Sequence, residues 1–163
     1  MTPSARVFPD YYSALRIAVE EEFMGDALFA ALADVHHGDA REALLLMSAI
    51  ERAVIAATAE TVRRNGLQLD DPETLRSQGR DEAEKLRDMS WSDFIDRVLN
   101  DYPAYLPEFQ QVVDLAPIAD KAAAQLLYDH EVALIEFAKA YRAGDPESLG
   151  ILRTFLAEAK IRV

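Results

Sequence analysis

A chain of 163 residues, 50% hydrophobic and 28% charged, has the balance of one ordinary folded domain, 1–163, able to bury roughly two-thirds of its unfolded surface. Its 29 acidic and 17 basic residues leave a formal charge of −12, which disfavours nucleic acid and anionic lipid as partners. The absence of cysteine excludes disulfides, thiol chemistry and thiolate metal sites. It also suits the cytoplasm, the expected location. Met1 to Asp10 lacks a secretory pattern, and the longest low-charge apolar stretch, Ala43 to Ile50, is far shorter than the ~20 residues of a membrane span.

Stop and start signals divide the chain into helices. The first is expected from Asp10 to His37, meeting Gly38 at a left-handed turn. Asp39 then caps a second helix from Ala40 to Arg64, which stops at Asn65-Gly66. Asp71-Pro72 opens a polar helix to Asp88 that is charged nearly all round and reads as a surface crossover. Ser90, with Asp93 three residues on, resembles a capping box and starts a helix through Asp101. Pro103 and Pro107 break the stretch from Tyr102 to Pro117 into two short pieces. A last long helix covers Ile118 to Arg142 and ends at Gly144, and Asp145-Pro146 caps a short one from Glu147 to Lys160. No segment shows the period-two alternation of a strand. The expected fold is therefore all-α, an antiparallel four-helix bundle with short additional helices.

Three- and four-residue steps pick out the seams such a bundle would bury. The first helix offers Leu15, Ala18, Glu22, Gly25, Phe29, Leu32 and His36; the second offers Leu44, Met47, Glu51, Val54 and Thr58. On the last long helix Leu127, His130, Leu134, Phe137 and Tyr141 form a row, with Ala124, Glu131 and Ala138 beside it. Three apolar faces thus each carry one acid near the middle. Burying an isolated carboxylate costs several kcal/mol unless it is paired, protonated or bound to a metal. The available partners are Arg52, His130, a metal ion, or a second carboxyl sharing a proton.

These residues resemble the ferritin-like family, and its rubrerythrin-like members in particular. There a Glu from each of two helices and a Glu-x-x-His from each of two others hold two irons in a four-helix bundle. Glu22-Phe-Met-Gly-Asp-Ala-Leu-Phe29 is similar to the family's first segment. Glu51-Arg-Ala-Val54 is similar to its Glu-x-x-His motif with valine in the histidine position, and His130-Glu131-Val-Ala-Leu134 resembles its His-Glu-x-x-His run with leucine in the second. Glu108 is the candidate for the third-helix ligand, with Asp101 behind it. What the resemblance implies is a metal site built from Glu22, Glu51, Glu108, His130 and Glu131, taking iron or manganese if it survives. Valine and leucine cannot ligate, so a di-iron centre with the full family set is not expected.

Other features have plainer readings. Glu20-Glu21-Glu22 is a charge run, solvated except for its third member; His36 and His37 sit where imidazolium would favour a helix C-terminus. Trp91, Phe94, Tyr102, Tyr105 and Phe109 are expected to pack the end of the bundle, with a ligand pocket or a dimer contact as alternatives. No nucleophile elbow, phosphate loop or zinc motif is present. The sequence discloses no reaction. Its leading reading is a ferritin-like bundle that has lost a competent di-iron centre and acts as a binding or structural protein, a homodimer being compatible. The alternative is an atypical carboxylate-rich iron or manganese protein of oxidase, peroxidase or oxygenase type. A third is a core pocket holding a small-molecule ligand.

Overall fold

The computed structural model describes residues 5–161, and every regular element among them is helical. The helices are α1 (Tyr11–Ala33), α2 (Gly38–Arg64), α3 (Pro72–Leu86), α4 (Trp91–Asp101), α5 (Leu106–Leu115), α6 (Lys121–Arg142) and α7 (Ser148–Ile161). Single 3-10 turns, Tyr102–Ala104 and Ile118–Asp120, lie before α5 and α6. None of these helices is long and apolar enough to cross a membrane.

Most of the caps are those the sequence specifies. Asp10 accepts from the Ser13 amide at 2.8 Å, Asp71 from Thr74 at 2.9 Å and Ser90 from Asp93 at 3.1 Å, each satisfying a donor that the first turn leaves free. Pro72 occupies the first position of α3 and Pro107 the second of α5, where the missing amide costs nothing. Between α1 and α2 the expectation fails. α1 ends at Ala33, short of His37, and α2 starts at Gly38 with φ of +58° and no side-chain cap, so Asp39 sits in its first turn and does not cap it. The free end of α1 is served by Arg41, which donates to the Ala33 carbonyl at 2.8 Å. His36 instead packs edge-on to Trp91, 5.9 Å between centroids.

α1 and α2 form an antiparallel hairpin, since Arg41 meets Ala33 near the turn while Arg52 meets Asp26 further along. α6 packs against α2, α4 and α5, while α7 lies against α2 and α6. The expected seams are the ones buried: Leu15, Leu44, Met47, Leu127 and Phe137 are all at 0% exposure, each contributing roughly 1.5–3 kcal/mol by leaving water.

α3 departs from the surface crossover its charge suggests. Leu75, Gly79, Ala83 and Leu86 form a buried stripe against α1. A Cβ on Gly79 would lie 2.1 Å from the Met24 carbonyl oxygen, so only glycine lets the two backbones approach this closely. Half of the stripe, Gly79 and Ala83, is small residues that hydrophobic periodicity barely registers.

Candidate metal centre

Six acidic side chains are buried among the described residues: Glu20, Glu22, Asp26, Glu51, Glu108 and Asp120. Four have an arginine. Arg16 holds Glu20 at 2.9 Å, Arg52 holds Asp26 at 2.8 Å, and Arg64 holds Asp120. Arg6 grips Glu108 through its backbone amide and its Nε, both at 2.8 Å. Glu22 and Glu51 have no such partner. They face His130.

His130 is 1% exposed, and its Nδ1 donates to the Leu127 carbonyl at 2.5 Å. That bond fixes the tautomer and leaves Nε2 as a bare lone pair. Nε2 lies 3.2 Å from Glu22 Oε2, 3.7 Å from Glu51 Oε2 and 3.9 Å from Glu131 Oε1. One donor atom each from Glu22, Glu51 and His130 falls within 4.8 Å of the others. Phe109 braces the imidazole edge-on at 5.4 Å. Gly25 makes room on the opposite side, because a Cβ there would sit 3.0 Å from Glu51 Cδ.

Electrostatics follow from that geometry. Burial pushes Glu22 well above the ordinary carboxyl range, and the neighbouring Glu51 charge pushes it further. Burial likewise raises Glu131 well above that range and lifts Glu51 to about 7. Burial lowers His130 to about 4, so its imidazole is neutral at physiological pH. Without a cation the cluster can be held only by protons on its carboxyls. Glu22 Oε2 and Glu131 Oε2 are nonetheless buried without a hydrogen-bond partner.

A cavity of about 400 Å³ opens beside the cluster. Phe29, Phe109 and Leu134 line its apolar wall, and Tyr102 and Tyr105 another. Gln78, Gly79 and Glu82 of α3 and Arg97 of α4 also line it, and Arg97 donates to Glu82 at 3.1 Å.

Of the residues the sequence singles out, Glu22, Glu51, His130 and Glu131 come together. Glu108 does not, because Arg6 holds it on another side of α1; Asp101 does not line the cavity either. Arg52 turns to Asp26, away from Glu51. The acidic run is no solvated face: Glu20 is buried and accepts from the Asp70 amide at 2.8 Å, while Glu21 lines the cavity and pairs with Arg6. The aromatic group splits. Trp91 and Phe94 stack at 5.4 Å near Phe137, whereas Tyr102, Tyr105 and Phe109 serve the cavity. Gly25 and Gly79 carry no chemistry of their own, and the one sign of them in the sequence is a glycine inside a helix. Comparisons with protein-family models, with curated proteins and with solved structures find no match to this chain.

Proposed function

We propose that this chain is a ferritin-like helical bundle whose di-iron site has contracted to a single carboxylate-rich position for a hard divalent cation, iron or manganese. The observation that carries the reading is the lone pair of His130 Nε2, held by the Leu127 bond and aimed at two buried carboxyls that no arginine neutralises. The donor set fits one such ion: Glu22, Glu51 and His130 would hold it, with Glu131 beside them, and the orphaned Glu22 Oε2 would gain a partner. Oxygen donors with one imidazole suit manganese and ferrous iron. The full family set does not fit, because Val54 and Leu134, at 0% and 1% exposure, fill the histidine positions with hydrocarbon.

When bound, such an ion would supply Lewis-acid or one-electron chemistry to a small molecule in the adjoining cavity. The chain's own contribution is orientation and the holding of a proton. Phe109 and the Leu127 bond fix the imidazole, Phe29, Phe109 and Leu134 give the cavity an apolar wall, and Glu131, raised well above the ordinary carboxyl range, can carry a proton beside it. The protein would then be a small-molecule oxidoreductase or a metal-dependent binding protein.

Elemental analysis and calorimetry with Mn²⁺ and Fe²⁺ test this. About one ion per chain is expected, with protons released on binding. Glu51→Gln and His130→Ala should each weaken affinity about 100-fold. Background metal in the wild type, with the fold intact, would overturn the reading. The cavity would then favour a different one, a metal-free pocket whose protonated carboxyls hold a polar ligand.

A further inference from the structure

On the far side of α6 from the metal position, α6 and α7 leave a groove of about 710 Å³. Val132 and Ala133 of α6 and Ile151 and Phe155 of α7 form its floor. The positions used on α7, 150, 151, 154, 155 and 158, recur at the three- and four-residue steps of one helical face, as do those on α6. Two such faces side by side make a trough in which a third helix can lie. Gly150 meets nothing within 4 Å where a Cβ would stand, so the trough is open at that edge.

Its rim decides what can lie there. Asp129, Glu136, Asp145, Glu147 and Glu158 all line the groove, and among the described residues no lysine or arginine does. Glu136 is paired with Lys139 at 2.7 Å. Glu147 and Glu158 stand toward the two ends of α7 and are exposed. A second copy docking groove to groove would set these acids against each other in a chain already at −12, an arrangement that like-charge repulsion rejects.

We infer that the α6–α7 groove docks a basic amphipathic helix of a protein partner, its apolar face on Val132, Ile151 and Phe155 and its lysines or arginines against Glu147 and Glu158. This does not depend on the metal centre, which opens elsewhere. The interaction should be salt-sensitive, because part of its attraction is between solvent-exposed charges.

The test is fluorescence anisotropy with a labelled peptide of about 18 residues, leucines on one helical face and lysines flanking them. Saturable one-to-one binding is expected. The pair Glu147→Lys/Glu158→Lys should weaken it about tenfold, and Ile151→Ser should weaken it without changing the salt dependence. The pair Asp81→Lys/Asp88→Lys on exposed parts of the α3 side makes the same change in net charge and should leave affinity within about twofold. Equal loss from both pairs would mean general charge attraction and would overturn the proposal. So would the absence of saturable binding, or a dimer in sedimentation that the groove variants dissolve.

Discussion

Glu22 and Asp26 stand one turn apart on α1, both buried, and their surroundings are opposites. Asp26 accepts from the Ser48 hydroxyl at 2.7 Å and from Arg52 at 2.8 Å, and Arg76 of α3 approaches to 3.7 Å. Glu22 meets a neutral imidazole and two more carboxyls. The same helix thus seals one acid with the protein's own cations and leaves the next without any. A buried carboxylate without a cation is costly, so the carboxyls of the open cluster keep protons instead.

Removing the seal gives the largest expected effect. Arg52→Ala/Arg76→Ala would leave Asp26 with the Ser48 hydroxyl and no cation, and should cost about 2 kcal/mol in urea unfolding at pH 7. A loss below about 0.5 kcal/mol would mean that buried acids here need no partner, and the comparison would collapse. Next comes pH. Folding raises Glu51 from 4.5 to about 7, so the folded chain keeps a proton that the unfolded chain has released. That contribution is full below pH 4.5 and is lost as pH rises through 7. His130, lowered from 6.5 to about 4, acts in the opposite sense, but only below 6.5. From pH 6.5 to 8.5 the metal-free protein should therefore lose stability, each pKa unit being worth about 1.4 kcal/mol. Glu51→Gln or saturating Mn²⁺ should flatten the slope, and a flat wild-type profile would contradict the picture. The smallest effect concerns Gly25. Alanine there gains about 1 kcal/mol of helix propensity but crowds the Glu51 carboxyl, so unfolding should change little while Mn²⁺ affinity falls several-fold. Gly150→Ala, with open space around it, should gain stability and leave affinity alone.

Periodicity made the seams legible, because a 3.6-residue repeat of Leu, Met and Phe has one way to be buried. Glu22, Glu51 and His130 were readable from their place on those seams. Glu108 was misread because its partner, Arg6, comes from the irregular segment before α1, which helical phase does not describe. Glu20 was missed in part for a similar reason: besides Arg16 one turn away, its donor is the amide of Asp70 in the loop before α3. The packing of α3 depends on a glycine against a carbonyl, an absence of side chain that no hydrophobic pattern displays. Arg52, offered as one cation for the buried acids, goes to Asp26, because adjacent residues on a helix diverge by about 100° and it cannot share the direction of Glu51.

That divergence has a consequence for how the site could be lost or gained. Glu51 and Arg52 are consecutive, yet one faces the open cluster and the other the sealed pair. Exchanging the two, Glu51→Arg with Arg52→Glu, would put an arginine in the slot of the glutamate, beside Glu22 and Glu131. The cluster would then carry its own counter-charge and have no use for an ion. The order of two neighbouring residues thus separates a cluster without a cation from one that carries its own.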